Sequence, residues 1–171
     1  MQNSAWTIFE NKLKHTLMLA GDRVHILLIP DIPLKRTTQY LQYVVSGTSL
    51  VCELRLSQQF QDISNRCTTI NTSLGWERQL GSNVEIYSRH LPLPAYSSVY
   101  ALLAAQSIHI LRDVLQISEP TSLTYYAWRA PEELEEGRYY SAEEVDELDE
   151  GADPLEVDLG IEMASRRPEL L

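Results

Sequence analysis

Long apolar runs are missing from this chain. The longest mostly apolar stretch, Ala101 to Ile110, is interrupted by Gln106, Ser107 and His109. It falls short of the roughly 20 residues that cross a bilayer, so no membrane insertion is expected. The opening residues, Met1 to Trp6, have no basic stretch ahead of an apolar core, which leaves the cytoplasm as the expected location. Glycine is scarce, with 7 in 171 residues, and neither Gly-x-x-x-x-Gly-Lys-Ser/Thr nor Gly-x-Gly-x-x-Gly occurs. A phosphate-cradling loop, and with it a nucleotide cofactor, is therefore not expected. Gly-x-Ser-x-Gly is absent too, which removes the commonest serine-nucleophile frame.

The metal-ligating residues are equally thin. Cys52 and Cys67 lack ligand spacing and make no disulfide framework. The four histidines, His15, His25, His90 and His109, fall on four different predicted elements with no His-x-x-x-His pair. Structural zinc normally shows close ligand pairs, so neither a metal nor any other cofactor is expected, and nothing supports an enzyme.

Positive charge is short overall, with 14 Lys+Arg against 24 Asp+Glu and a net charge of −10. The deficit is local. Residues 1–130 hold 11 basic and 9 acidic residues, a balance of +2, whereas residues 131–171 hold 3 and 15, a balance of −12. The chain therefore divides into a domain at 1–130 and an acidic tail at 131–171. A near-neutral domain argues against a basic nucleic-acid surface. The tail is expected to be largely disordered from its charge and low apolar content, with a short helix at 141–150 where Ser141-Ala142-Glu143-Glu144 resembles a capping box. Two other readings stay open for it. Leu155, Val157, Leu159 and Ile161 recur at alternate positions, as in an arm that docks on a groove, and Asp149 to Asp153 is a loose echo of a calcium loop.

Within the domain, Trp6, Phe9, Leu13, Leu17 and Ala20 recur at spacings of three and four behind a candidate cap, Ser4. They predict an amphipathic helix. Val24 to Ile29 reads as a strand stopped by Pro30 and Pro33. Arg36 to Val45 and Leu50 to Leu56 read as two more, joined by Ser46-Gly47-Thr48-Ser49. Leu50, Cys52, Leu54 and Leu56 share one face, as a strand covered on one side requires. Ile63, Cys67, Ile70 and Leu74 predict a second helix ending at Gly75, and a hairpin across Gly81-Ser82 follows. A long helix then runs from Ser97 or Ser98 to Val114. The order is α-β-β-β-α-β-β-α, an α+β fold with an antiparallel five-stranded sheet packed against helices. Leu123 to Trp128 is left as an edge strand or a docked arm. Its tyrosines and Trp128 make both faces aromatic, so one face is open to a dimer or ligand, unless the segment merely caps the core.

The order of elements, with Trp6…Phe9…Leu13, Tyr40-Leu41-Gln42-Tyr43-Val44, Val51-Cys52-Glu53-Leu54, Leu74-Gly75-Trp76 and Leu111-Arg112-Asp113-Val114-Leu115, resembles the type III secretion chaperones and the YbjN-like proteins. The Leu-Gly-Trp junction is most similar to the bacterial TY-Chap branch of actinobacteria, putting the likeness over Trp6 to Trp128. The resemblance implies a non-enzymatic module, commonly a homodimer, that binds an extended peptide or another protein. The apolar stripes nominate Leu54, Leu56, Tyr100, Leu103, Leu111 and Tyr126 as residues lining a peptide site. The alternative is a regulatory interaction module whose acidic tail occupies its own or a partner's groove.

Overall fold

The computed structural model describes residues 2–31, 39–57, 65–67, 75–81 and 84–169. Helix α1 spans Gln2–Leu19, so Ser4 lies within its first turn and does not cap it. The stripe read from the sequence is the buried face: Trp6, Phe9, Leu13 and Leu17 all sit in the core. The Trp6 indole also donates to the Ser118 carbonyl at 3.2 Å, tying α1 to the segment that leads into the last long strand.

Three strands follow, β1 (Val24–Pro30), β2 (Tyr40–Ser46) and β3 (Ser49–Ser57), paired antiparallel in sequence order. The β2–β3 turn places Gly47 at φ +56, and its N–H donates to Asp22 Oδ1 at 2.6 Å. Leu50, Cys52, Leu54 and Leu56 all face the helices and are buried, as the alternation required. Of the second predicted helix, residues 65–67 are helical and Cys67 is buried. Ile63, Ile70 and Leu74 lie outside the described residues.

The hairpin comprises β4 (Glu77–Leu80) and β5 (Val84–Pro92), and β5 pairs with β3 along nine residues. Helix α2 (Ser97–His109) continues into a π turn at Ile110–Val114. Leu103, Ala104, Ile108, Leu111 and Val114 pack with α1 against one face of the sheet. A 3-10 turn at Pro120–Ser122 leads into β6 (Leu123–Arg129).

The sheet departs from the expected five antiparallel strands. It has seven, in the order β4-β5-β3-β2-β1-β6-β7. The sixth is the segment left open between edge strand and arm: β6 pairs antiparallel with β1 over the whole strand, from Val24↔Arg129 to Pro30↔Leu123. The seventh comes from the acidic tail, where β7 (Glu162–Met163) pairs parallel with β6. The sheet is therefore mixed. Charge and low apolar content predicted little fixed structure after residue 130. Within that stretch, spaced apolar side chains and backbone bonds at residues 152–164 join the segment to β6 and the core. Within the predicted 141–150 helix, α3 spans only Ala142–Asp146, with a complete Ser141–Glu144 capping box.

Leu54, at the centre of β3, has no exposed surface. Leu54→Ala is expected to cost about 2–5 kcal/mol, the range for deleting a fully buried leucine, measured by urea unfolding. A loss under about 1 kcal/mol would mean that the site lies outside the packed core.

Candidate functional site

The last long strand has an unusual burden. In an extended chain, successive side chains leave opposite faces, and β6 carries large ones on both. Leu123, Tyr125 and Ala127 join the core beneath the helices. Tyr126 and Trp128 point to the other face and cluster with Leu27 and Tyr40. There the His25 ring stacks on Trp128, with centroids 4.5 Å apart and planes 7° from parallel. The guanidinium of Arg167 lies 3.7 Å from the Trp128 ring centroid. Among the described residues the sheet has no further long strand beyond β6, so its outer backbone groups need partners.

Residues 149–164 supply them. Arg129 and Ala152 exchange two backbone hydrogen bonds, at 2.8 and 2.9 Å. The Leu155 N–H donates to the Ala127 carbonyl at 2.7 Å, and the Ala164 N–H to the Tyr125 carbonyl at 2.7 Å. Between these points the segment crosses toward α1. Leu159 is buried in the main core, and Leu155, Val157, Ile161 and Met163 pack half-buried against it. The Val157 N–H donates to Tyr125 Oη at 3.4 Å, and Thr16 Oγ1 donates to the Asp158 carbonyl at 3.3 Å. A cleft of about 470 Å³ remains between Thr16, Leu19, Ala20 and Val24 on one side and Leu155 and Val157 on the other.

Charge fixes the two ends of this crossing. Asp149 accepts from Arg23 Nη2 at 2.8 Å and Arg129 Nη2 at 3.2 Å, and the Gly151 N–H donates to it at 2.9 Å. Lys12 Nζ lies 2.5 Å from Asp158 Oδ1. The Gly151 N–H, then Arg23 and Arg129, hold the Asp149 carboxyl below its usual range, and Lys12 does the same for Asp158. Asp153 accepts from the Tyr126 hydroxyl at 2.5 Å and pairs with Arg167 at 3.8 Å. Gly151 itself is at φ +80, and a Cβ there would stand 2.4 Å from the Arg129 carbonyl oxygen. Only glycine fits that approach. The calcium-loop echo at Asp149–Asp153 is thus committed to arginines and a tyrosine. Among the described residues, no three His, Cys, Asp or Glu side chains converge as metal ligands.

The six residues nominated as lining fall into two places. Leu54, Leu56, Leu103 and Leu111 are buried in the core under α1 and α2, and Tyr100 is half-buried against it. Tyr126 lies on the opposite face of the sheet, next to Asp153 of the docked segment. The four leucines are thus screened from a ligand in this conformation. Sequence reasoning missed Lys12, Arg23, Arg129 and Gly151, whose roles depend on contacts 20 or more residues away; only the alternation at 155–161 pointed to the segment they receive. Both cysteines are buried thiols: burial, with the charge of Glu85 nearby, pushes the Cys67 thiol up to about 12, and burial raises Cys52 further.

An α+β domain with helices on one sheet face and a chain segment hydrogen-bonded at intervals along a sheet edge has the build of a polypeptide-binding module. The family model that matches is T3SS (YopN, CesT) and YbjN peptide-binding chaperone 3, TY-Chap3, over residues 2–129. The chain belongs to this family of peptide-binding chaperones. No curated protein and no solved structure matches it. The match ends at the last residue of β6, so the docked segment lies wholly outside it. No helix among the described residues is long and apolar enough to cross a membrane.

Gly151→Ala is expected to free the tail while leaving the domain folded: limited proteolysis should cut within 140–165 at least several-fold faster, with unchanged far-UV circular dichroism. Equal cleavage rates would show that the turn does not hold the segment. The docking also depends on pH. A carboxyl held below its ordinary value contributes above that value and stops contributing as pH falls through its lowered one. The Leu159 methyl NMR signals should therefore keep their buried shifts from pH 7 down to the ordinary aspartate value of about 4 and move to exposed-chain values only as pH falls below it, through the lowered values of Asp149 and Asp158. Buried shifts persisting to pH 2 would remove the carboxylates from the docking.

Proposed function

We propose that this protein holds an extended segment of another polypeptide and performs no chemistry of its own. The observation that carries the reading is the β6 edge, whose backbone groups and flanking apolar slots are engaged at intervals by the chain at residues 152–164. Adding a strand to a sheet edge gives affinity through main-chain bonds and specificity through alternate side chains. Family membership supports the same role. Work as a homodimer belongs to this reading through the family resemblance, and work in the cytoplasm through the sequence of the N-terminal residues and the cysteine content.

A second reading is favoured by the same docking. The segment on the edge is the chain's own, so the protein can equally act as a regulatory module whose acidic tail closes its groove. In both readings the edge at β6 is the recognition surface. Its nearest nominated residue is Tyr126; Leu54, Leu56, Tyr100, Leu103 and Leu111 contribute by holding the core beneath it.

The full chain should suppress aggregation of a test protein diluted from urea, at near-equimolar ratio and without a nucleotide, read by light scattering. No suppression at tenfold excess, together with no binding to any member of an array of extended peptides, would sink the peptide-holding reading.

A further inference from the structure

We infer that residues 149–164 are a resident stand-in for the ligand, and that the ligand displacing them is an acidic, extended polypeptide segment with apolar side chains at alternate positions. This deepens the peptide-holding reading and rests on it. The argument begins with what the edge selects. Its cations come from the domain, Arg23 and Arg129 at one end and Lys12 at the other, and they meet carboxylates spaced nine residues apart, at Asp149 and Asp158. Between and beyond them the surface takes apolar groups, burying Leu159 and half-burying Leu155, Val157 and Ile161. The backbone of β6 asks for extended chain at Arg129, Ala127 and Tyr125. A ligand that meets all three demands is acidic, extended and apolar at every second residue.

The way the segment is held fits a displaceable occupant. Its regular pairing with β6 is two residues long, Thr124↔Glu162 and Tyr125↔Met163. Asp158, the partner of Lys12, is 80% exposed, so that pair is screened by solvent and salt. The docked residues are covalently tethered through residues 130–148, which places them at an effective concentration of about millimolar at the edge. A free ligand must compete with that. The chain's own affinity for such a segment is therefore masked in the intact protein and revealed when the resident is weakened.

The test uses the full chain and a dye-labelled synthetic peptide of residues 149–164, read by fluorescence anisotropy at low salt. Leu159→Asp puts a carboxylate in the buried Leu159 slot of the resident only. This variant should bind the free peptide at least tenfold more tightly than the unaltered protein. Adding Arg129→Glu should reverse the gain, and a peptide of scrambled order should bind at least tenfold more weakly. Gly151→Ala, which acts on the turn and leaves the slot untouched, serves as a second release variant if Leu159→Asp misfolds by circular dichroism. The inference is overturned if released, folded chain binds the peptide no better than the unaltered protein, or binds the scrambled peptide equally well. Where that happens while the aggregation assay still shows suppression, the mimicry fails and the peptide-holding reading stands. Loss of suppression and of all peptide binding removes both.

Discussion

A strand with large side chains on both faces cannot end a sheet, and β6 is such a strand. Tyr125 belongs to the core under the helices, while Tyr126 and Trp128 belong to a second cluster on the reverse face. Each face buried this way contributes on the order of 1.5–3 kcal/mol per large apolar side chain, so twisting the strand to serve one face would expose the other. Its outer backbone groups then stand beside a strongly apolar surface, the combination that invites further pairing. Residues 149–167 are shaped by this constraint. The segment wraps the edge, with Leu159 on the helix side and Arg167 over Trp128 on the other.

The opposite edge is handled by different means. Strand β4 is exposed at all four residues and offers no such surface. It is tied to β5 by Arg78, whose guanidinium meets Glu85 at 2.5 Å while the Tyr87 hydroxyl donates to the same oxygen at 2.5 Å. Glu85 is only 4% exposed. A carboxylate so deeply placed tolerates burial because it is paired and hydrogen-bonded, and losing either partner would leave charge stranded in the core. Charge therefore closes one end of the sheet locally, whereas the other end is closed by chain from outside the family domain. That asymmetry sets β6 apart from β4: only at β6 is the sheet extended by chain from beyond the matched residues.

How far these features were legible depends on their range. The α1 stripe, the β3 alternation and the α2 core face are set by spacing within a few residues, and they were readable directly. The second cluster was not. Leu27, Tyr40, Tyr126 and Trp128 come from three strands, and neighbouring residues on those strands serve the opposite face, so no single window shows which set is buried. Tyr126 was singled out because two aromatic faces on one short segment demand two environments. Leu54 and Leu103 were singled out because apolar stripes look alike whether they meet a helix of the same chain or a ligand. Periodicity identifies a buried face but cannot say what buries it.

The acidic tail shows the same limit in charge. Its balance of −12 against the domain's +2 promises attraction, yet among the described residues few of its 15 acids touch a domain cation. Asp149 reaches Arg23 and Arg129, and Asp158 reaches Lys12. Asp153 instead meets the tail's own Arg167, and Glu144 is occupied with Arg138 and the α3 cap. Diffuse charge falls off within about 8–10 Å at ordinary salt and has no preferred register. What sets the register is discrete: the Gly151 turn against the Arg129 carbonyl, the Leu159 slot and the hydrogen bonds to Ala127 and Tyr125. Composition alone therefore predicted a solvated tail, while a handful of spaced residues within it specify where it lies.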